Sequence, residues 1–420
     1  MRQFLLVSLF SILLADVMLG LGLSLAPGLS LKNAMLYVLF MALVLEFLLG
    51  NRDPMREFWP LHSAWALLAF YATFTWLAII LLGLHRNYDN IGSFIALKGQ
   101  LVDRFLFLLV YLYGPRDKTK TVDVLRWLIF VLVLINLVTL IDAFNVPDLG
   151  IITDREDGRI TGPIKEVNQY GAILIFIIPV TAGLLFGNSV WSKLLFGFGT
   201  MIAFVLLGLT VSRGSWVGLT IGTLISLYLV RDHVRRASII KGGLAVLVVV
   251  TIAAVSVAVL NPEGFFAKFD FAGANLDGIS SGRIDVWQRL LTMMSYRPLS
   301  FLVGYGWDAY RTLIGIYGDP HNTYLLYWFN LGIIGLGLYV YIVIWTIRFT
   351  VTSLKFISLE LKPLVIGFIT GFVAVHVALF FVTLYTPWLF IWAVAGAILR
   401  IIVDDRRISA REKIQEIAAL

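Results

Sequence analysis

Cysteine is absent from the 420 residues of this chain. The chain therefore forms no disulfide, and it offers neither a thiolate metal ligand nor a cysteine nucleophile. Charged residues are scarce as well, at 14% of the chain, whereas hydrophobic residues make up 59%. The mean hydropathy of +0.89 is too high for a water-soluble domain of this size, so the composition predicts a polytopic membrane protein.

Apolar stretches recur at the length that a membrane-spanning helix needs, roughly 20 residues. The first stretch, from Phe4 to Gly20, lacks a small-residue cleavage site and is interpreted as a span rather than a cleaved signal. We predict an all-α polytopic membrane protein with about twelve transmembrane helices. The predicted spans are residues 4–22, 31–49, 61–84, 92–113, 125–144, 167–187, 194–211, 215–230, 239–260, 321–347, 363–383 and 386–402.

Lysine and arginine are divided unevenly between the connections, which predicts the orientation of the chain. With both termini in the cytoplasm, the short outer connections carry little more than Lys32, Arg86 and Arg213. This bias also accounts for the net charge of +7, so no nucleic-acid partner is implied. The inner connections and the tail carry Arg52, Arg56, Arg116, Lys118, Lys120, Arg126, Lys193, Arg231, Arg235, Arg236, Lys241, Arg348, Lys355, Lys362, Arg400, Arg406, Arg407, Arg411 and Lys413.

The same topology predicts one transmembrane domain over residues 1–420, with the segments 145–166 and 261–320 outside. Residues 261–320 form a large outer loop that contains short helices, and it is the only long polar interval of the sequence. The tail, residues 404–420, is predicted to be a short, charged amphipathic helix at the cytoplasmic surface.

Arg283 is the first candidate site residue in the outer loop. Ser281 is predicted to cap a helix that runs to about Tyr296, with Arg283 in its first turn. A cation opposes the helix dipole there unless an anion shares the position, which indicates a phosphate site. An ion pair between Arg283 and Asp285 or another carboxylate is the alternative interpretation.

His321 is the second candidate, at the end of the outer loop. Pro320 predicts a helix start, which places His321 in the first turn with Tyr324 and Leu325 on the same face. An imidazole can take up a proton near physiological pH, so His321 is a candidate general base. An interfacial histidine that hydrogen-bonds the lipid headgroup region is the alternative.

Two further outer turns carry arginine. Arg213 lies in a turn just ahead of a helix that is predicted to begin at Ser215, which again favours an anion, although an arginine that anchors the hairpin would give the same pattern. The segment 153–163 is interpreted mainly as a solvated turn, in which Arg159 is a further candidate phosphate contact.

Three charged residues, Lys98, Asp103 and Arg104, lie within a predicted span. Intramembrane charges are expensive and mark functional candidates. We expect Asp103 to pair with Lys98 or Arg104, and a cation that is left without this partner could face the site.

These motifs, in this order, resemble the O-antigen ligase and polymerase superfamily of bacterial envelope glycosyltransferases. The resemblance covers about residues 162–335. The motifs that carry it are Asn168-Gln169-Tyr170-Gly171, Ser212-Arg213-Gly214-Ser215, Ser281-Gly282-Arg283 and Pro320-His321-Asn322-Thr323-Tyr324.

The resemblance implies transfer of a glycan from undecaprenyl pyrophosphate at the periplasmic side of the bacterial inner membrane, with no nucleotide sugar, metal or other cofactor. It implies that His321 is the catalytic residue and that Arg213 and Arg283 bind pyrophosphate, with looser support for Arg159. The remaining candidates are Lys98, Arg104, Asn168, Asn322 and Tyr324.

The acceptor separates the enzymatic alternatives. An O-antigen ligase, which joins the polysaccharide to lipid A-core, is the first expectation, with inversion at the anomeric carbon. An O-antigen polymerase or a protein O-oligosaccharyltransferase would share the donor and differ in the acceptor. A transporter or flippase for polyprenyl lipids is the alternative outside this class, although the sequence shows no paired repeats of the transporter kind.

Overall fold

A computed structural model describes the chain in several ranges. They are residues 2–18, 21–51, 55–85, 87–144, 155–156, 159–185, 190–234, 244, 251, 255, 282–313, 318–385 and 387–418. Nearly all of the predicted span 239–260 lies outside these ranges, as do residues 261–281 and 314–317 of the predicted outer loop.

The first part of the chain is helical, with one small hairpin of two strands before the second helix. Its elements are α1 (Arg2–Met18), β1 (Ser24–Ala26), β2 (Leu29–Ser30), α2 (Leu31–Leu48), a 3₁₀ turn (Arg56–Phe58), α3 (Trp59–Leu82), α4 (Asn90–Leu97), a π-helical turn (Lys98–Val102), α5 (Asp103–Tyr113) and α6 (Lys118–Ala143).

A second small hairpin precedes the helices of the remaining part. The elements are β3 (Arg155–Glu156), β4 (Arg159–Ile160), a 3₁₀ turn (Gly162–Ile164), α7 (Val167–Leu184), α8 (Val190–Thr210), α9 (Arg213–Val230), a 3₁₀ turn (Arg231–His233), α10 (Arg283–Ser295), α11 (Leu299–Val303), a 3₁₀ turn (Ala309–Thr312), α12 (Thr323–Ser353), a 3₁₀ turn (Leu354–Phe356), α13 (Lys362–Ala378) and α14 (Pro387–Ala418).

The structure is a polytopic helical bundle. Seven helical segments of the described residues are long and apolar enough to cross a membrane. The predicted span 92–113 is divided by the π-helical turn, and the first span corresponds to a helix of 17 residues, so the number of twelve stays a prediction. The seven segments are Leu31–Leu48, Arg56–Leu82, Lys118–Ala143, Val167–Leu184, Val190–Thr210, Arg213–His233 and Thr323–Phe356, and Lys362–Ala378 is a shorter apolar helix.

Two details differ from the sequence-based expectation. The tail is not a separate short helix, because α14 runs without a break from the last predicted span to Ala418. The segment around Arg159 is a hairpin of two short strands rather than an irregular turn. The fold is therefore almost, but not entirely, helical.

Close backbone contact between helices explains the glycines of α9 and α13. A Cβ atom added at Gly222 would lie 2.4 Å from the Ala374 Cα atom, and one added at Gly371 would lie 2.5 Å from the Phe176 carbonyl oxygen. Helix α13 thus packs against α9 on one side and α7 on the other. In a membrane, where apolar burial does not drive helix association, such small residues allow the contact.

A leucine at Gly222 should therefore destabilise the bundle. Overpacking costs roughly 1–3 kcal/mol, so we expect the Gly222→Leu variant to unfold at a lower temperature than the parent chain in detergent. Gly337→Leu is the matched control, since a Cβ atom at Gly337 meets nothing within 4 Å. Equal unfolding temperatures for the two variants would contradict the packing account.

Candidate functional site

Four helices, α7, α9, α10 and α12, begin after a residue with left-handed backbone. Such a backbone is strained for residues other than glycine, and strain of this kind is concentrated at functional sites. In three of these helices the left-handed residue precedes the cap: Lys165 (57°) before Glu166 of α7, Val211 (47°) before Ser212 of α9, and His321 (45°) before Asn322 of α12. In α10 the left-handed residue is the cap itself, Gly282 (78°).

The amino ends of α7 and α9 are locked together by side chains from two of the sequence motifs. The Ser212 hydroxyl donates to the Asn168 side-chain oxygen at 3.1 Å and is hydrogen-bonded to Ser215 at 3.0 Å. A Cβ atom at Gly171 would lie 2.4 Å from the Ser215 Oγ atom. Asn168 is therefore a residue that joins two helices, and Gly171 permits their close approach.

Glu166 adds a negative charge to this junction. Its carboxylate caps α7 by accepting from the backbone N–H groups of Asn168 and Gln169, and it also accepts from the Asn168 side-chain amide at 3.1 Å. The sequence analysis did not single out this residue.

Arg159 and Arg213 lie at the same junction. The Arg159 Nε atom donates to the Thr210 carbonyl oxygen at 2.9 Å, which ties β4 to the last residue of α8. Arg213 is the first residue of α9, two positions earlier than the predicted helix start at Ser215. Arg159 thus binds the start of the turn that leads from α8 to Arg213.

Arg283 is the first residue of α10, whose cap is Gly282. Burial lowers the pKa of the Arg283 guanidinium, and the positive charges of Arg213 and Arg159 lower it further. Asp285 forms its ion pair with Arg289 at 2.7 Å. The three predicted phosphate-binding arginines therefore share one electrostatic environment.

Part of the Arg283 guanidinium still lacks a partner. Its Nε atom is buried and has no hydrogen-bond acceptor among the described residues. The carboxylates of Glu166 and Asp319 act on Arg283 in the opposite direction to the other arginines and raise its pKa in part. A buried guanidinium Nε atom without an acceptor among the described residues, close to two other cations, favours an anionic ligand.

His321 lies beside this cluster but outside the helix in which it was predicted. Helix α12 begins at Thr323, because the Asn322 side chain caps it by accepting from the Leu325 N–H at 3.0 Å. The expectation that His321 occupies the first turn was therefore wrong. Trp287 of α10 donates its indole N–H to the Pro320 carbonyl oxygen at 2.7 Å, which connects the Arg283 helix to the histidine.

The Asp319 carboxylate holds the histidine turn. Its Oδ1 atom accepts from the His321 backbone N–H at 2.7 Å and from the Thr383 hydroxyl at 2.7 Å. The same oxygen lies 3.9 Å from the His321 Nδ1 atom. The bond to the backbone two residues further on is an Asx turn, and an aspartate two residues before a histidine was a signal that the sequence analysis missed.

Tyr385 links Asp319 to α7. Its hydroxyl donates to the second Asp319 carboxylate oxygen at 3.5 Å, and its backbone N–H donates to the Gln169 side-chain oxygen at 3.2 Å. Burial and the Asp319 charge raise the pKa of the Tyr385 phenol, which therefore stays protonated and can donate. Thr383 and Tyr385 lie more than sixty residues from Asp319, and no local pattern indicates their role.

The intramembrane charged residues form hydrogen bonds and an ion pair close to the site. Arg104 is buried and donates to the backbone carbonyl oxygens of Leu384 at 3.3 Å and Tyr385 at 2.8 Å. Asp103 was expected to pair with Lys98 or Arg104, and in the structure it pairs with Lys98 at 2.8 Å. Arg104 thus positions the segment that binds Asp319.

The last two candidates have structural contacts. Asn322 is buried and caps α12, as described above. The Tyr324 hydroxyl donates to the His376 carbonyl oxygen at 2.8 Å, so it points toward α13. Among the described residues, no group of three or more histidine and carboxylate side chains has a geometry that could hold a metal ion.

Comparison with known protein families gives a match to part of the chain. Residues 171–340 match the model of the O-antigen ligase family, which confirms the resemblance seen in the sequence. Arg213, Arg283 and His321 lie within the matched region. With its apolar helices, the chain is a polytopic membrane protein in which residues 171–340 are similar to the O-antigen ligase family.

A curated relative gives a second similarity. The chain is 24% identical over 196 residues to an uncharacterized protein of Haemophilus influenzae. This match covers 41% of the chain and 47% of the relative, so it spans about half the length of that protein.

The arrangement predicts that the cluster binds pyrophosphate. A charge-assisted hydrogen bond contributes roughly 1.5–3 kcal/mol, so Arg283→Ala should weaken inorganic pyrophosphate binding about tenfold or more in isothermal titration. Arg289→Ala is the matched control on the same helix, because Arg289 pairs with Asp285 on an exposed face. An unchanged affinity in Arg283→Ala would refute the assignment.

Proposed function

We propose that this protein is an O-antigen ligase. It transfers the O-antigen polysaccharide from undecaprenyl pyrophosphate to lipid A-core in the periplasmic leaflet of the bacterial inner membrane. The observation that carries the proposal is that Arg283 lies within the electrostatic reach of Arg159, Arg213 and Asp319, on the helix whose Trp287 binds the turn that holds His321. The family match over residues 171–340 supports the same reaction class.

The arginine cluster would bind the donor through its pyrophosphate. During transfer, the bond between the anomeric carbon and the pyrophosphate oxygen breaks, and undecaprenyl pyrophosphate leaves with the electron pair. The negative charge that develops on the leaving oxygen needs cations or oriented N–H groups. Arg213 and Arg283 supply guanidinium groups at helix amino ends, which have a partial positive charge of their own.

His321 would act on the acceptor. Its imidazole takes the proton from the attacking sugar hydroxyl while the oxygen bonds to the anomeric carbon from the face opposite the leaving group, so the configuration inverts. The Asp319 carboxylate, 3.9 Å from Nδ1, would stabilise the imidazolium that forms. Since Asp319 also binds the His321 backbone, it fixes the position of the base.

The orientation in the membrane follows from the charge asymmetry of the sequence, which places both termini in the cytoplasm and the site at the periplasmic surface. Each of the three intramembrane charges has a contact in the structure. Lys98 pairs with Asp103, and Arg104 binds the backbone carbonyl oxygen of Tyr385. These contacts support an enzyme over a transporter, in which such groups would bind the transported species.

His321→Ala should abolish transfer. The test uses purified protein in detergent with undecaprenyl-pyrophosphate-linked O-antigen and rough lipopolysaccharide, and it measures the gel shift of the lipid A-core band. Loss of a general base costs about 10²–10⁴-fold in rate. His233→Ala, in the 3₁₀ turn after α9, is the matched control and should retain activity.

Three outcomes of this assay would count against the proposal. A normal shift with His321→Ala would remove the catalytic role. Lengthening of the donor glycan, with no change of the lipid A-core band, would indicate a polymerase. No product with either substrate would favour a protein acceptor or lipid transport.

Transfer should also proceed at the same rate with excess EDTA. The arginines and helix ends supply the positive charge that a divalent ion provides in other enzymes with a pyrophosphate leaving group. The measurement is the initial rate of the same gel assay, with and without the chelator. A rate that falls in EDTA and returns with Mg²⁺ or Mn²⁺ would show that a metal site completes the cluster.

A further inference from the structure

A cavity of about 630 Å³ lies at the far end of the bundle from the candidate site. Helix α14 begins at Pro387, close to Tyr385, and supplies Arg400 to the cavity thirteen residues further on. At 1.5 Å per residue, this separation is about 20 Å along the helix. The cavity therefore lies toward the opposite membrane surface, and the transfer proposed above makes no use of it.

Arginine dominates the wall of this cavity. Three parts of the chain meet there: the end of α2 with the segment after it, the end of α5 with the segment after it, and the second half of α14. They contribute Arg116, Arg400 and Arg407, whereas Glu46 is the one carboxylate among the described residues of the lining. The wall thus has an excess of positive charge.

The carboxylates around the cavity do not neutralise this excess, because each of them is paired with a different arginine. The pairs are Glu46 with Arg2, Asp404 with Arg400 at 2.9 Å, and Glu57 with Arg407 at 3.5 Å. These three pairs leave the charge of Arg116 unmatched.

Arg116 lies beside Arg400 at the wall. Its side chain is exposed and forms neither an ion pair nor a hydrogen bond with another residue of the described ranges. Its backbone carbonyl oxygen accepts from the Arg400 Nη2 atom at 3.0 Å, which brings the two residues together. The chain therefore places an unpaired guanidinium group next to a buried one.

Donor groups at this position remain available to a ligand. Arg400 uses its Nε atom for Asp404 and its Nη2 atom for Arg116, and its Nη1 atom has no hydrogen-bond acceptor within the described part of the chain. The guanidinium group of Arg116 is free as a whole. Guanidinium groups match the geometry and charge of phosphate, so an anion of this class would bind both residues.

An exposed apolar face leads to the same end of the bundle. On α2, which ends next to the cavity, Val38, Met41, Leu45 and Leu48 are each more than half exposed. Their spacing of three or four residues places them on one face of the helix. Such a face suits the acyl chains of a lipid, whose headgroup would then lie at the level of the arginines.

We propose that this cavity binds the phosphate of an anionic phospholipid, from the leaflet opposite the candidate site. The phosphate would contact Arg116 and Arg400, and the acyl chains would follow the exposed face of α2. Basic pockets between transmembrane helices hold anionic lipid headgroups in this way. The proposal is independent of the transfer reaction, because it requires neither a glycan donor nor an acceptor.

The test measures lipid retention by the full chain in detergent with native mass spectrometry. The probes are phosphatidylglycerol and phosphatidylcholine with the same oleoyl chains, and isothermal titration with inorganic phosphate forms a second arm. We expect phosphatidylglycerol to bind and Arg116→Ala to weaken its binding about fivefold, the factor that one basic residue contributes near anionic lipids. Arg116→Lys should retain most of the binding, since it keeps the charge.

Arg126→Ala is the matched control and should bind phosphatidylglycerol like the parent chain. Arg126 is an exposed arginine of α6 that pairs with Asp123 and does not line the cavity. Because the side chain of Arg116 is also exposed, neither substitution removes a buried contact, and both variants should fold.

The outcomes separate the lipid from other ligands. Retention of phosphatidylglycerol over phosphatidylcholine that depends on Arg116 but not on Arg126 would support the site, even if the chain formed no lipid A-core product. Equal retention of the two lipids, or equal binding of phosphatidylglycerol by the parent chain and Arg116→Ala, would overturn it. Inorganic phosphate that binds through Arg116, without retention of phosphatidylglycerol, would indicate a soluble anion and refute the lipid.

Discussion

The hydrogen bonds of the Asp319 carboxylate hold the candidate site together. This one group accepts from the His321 backbone, the Thr383 hydroxyl and the Tyr385 phenol. A carboxylate that is partly removed from water needs such donors, because a buried charge without them is costly. Since His321 has a left-handed backbone, these contacts also explain how a strained turn persists at the mouth of α12.

The positive charges of the site lie close enough to destabilise one another. Arg283 is partly buried, lies near Arg213 and Arg159, and has an Nε atom without an acceptor in the described part of the chain. Four helix amino ends add partial positive charge to the same region. A protein would gain no stability from this arrangement by itself, so we interpret it as a preorganised anion site that a pyrophosphate completes.

Much of this could be predicted from the sequence, because the signals were local. Apolar length predicted the helices. The glycine-arginine and proline-histidine turns indicated Arg213, Arg283 and His321, whose role as site residues stays a prediction. The helix starts were wrong where a cap competed with another signal: Asn322, not Pro320, starts α12. Thr383, Tyr385 and the support from Arg104 depend on contacts between distant segments, which no local pattern contains.

The central claim is that the arginine cluster beside His321 holds the leaving pyrophosphate. The most direct measurement is an experimental structure of the protein in lipid nanodiscs with undecaprenyl pyrophosphate bound. We predict that both phosphates lie at the amino ends of α9 and α10, in contact with Arg213 and Arg283, and that the terminal phosphate oxygen, which carries the glycan in the donor, faces His321. Phosphates bound elsewhere, for example at Lys98, with Arg283 turned away, would contradict the account.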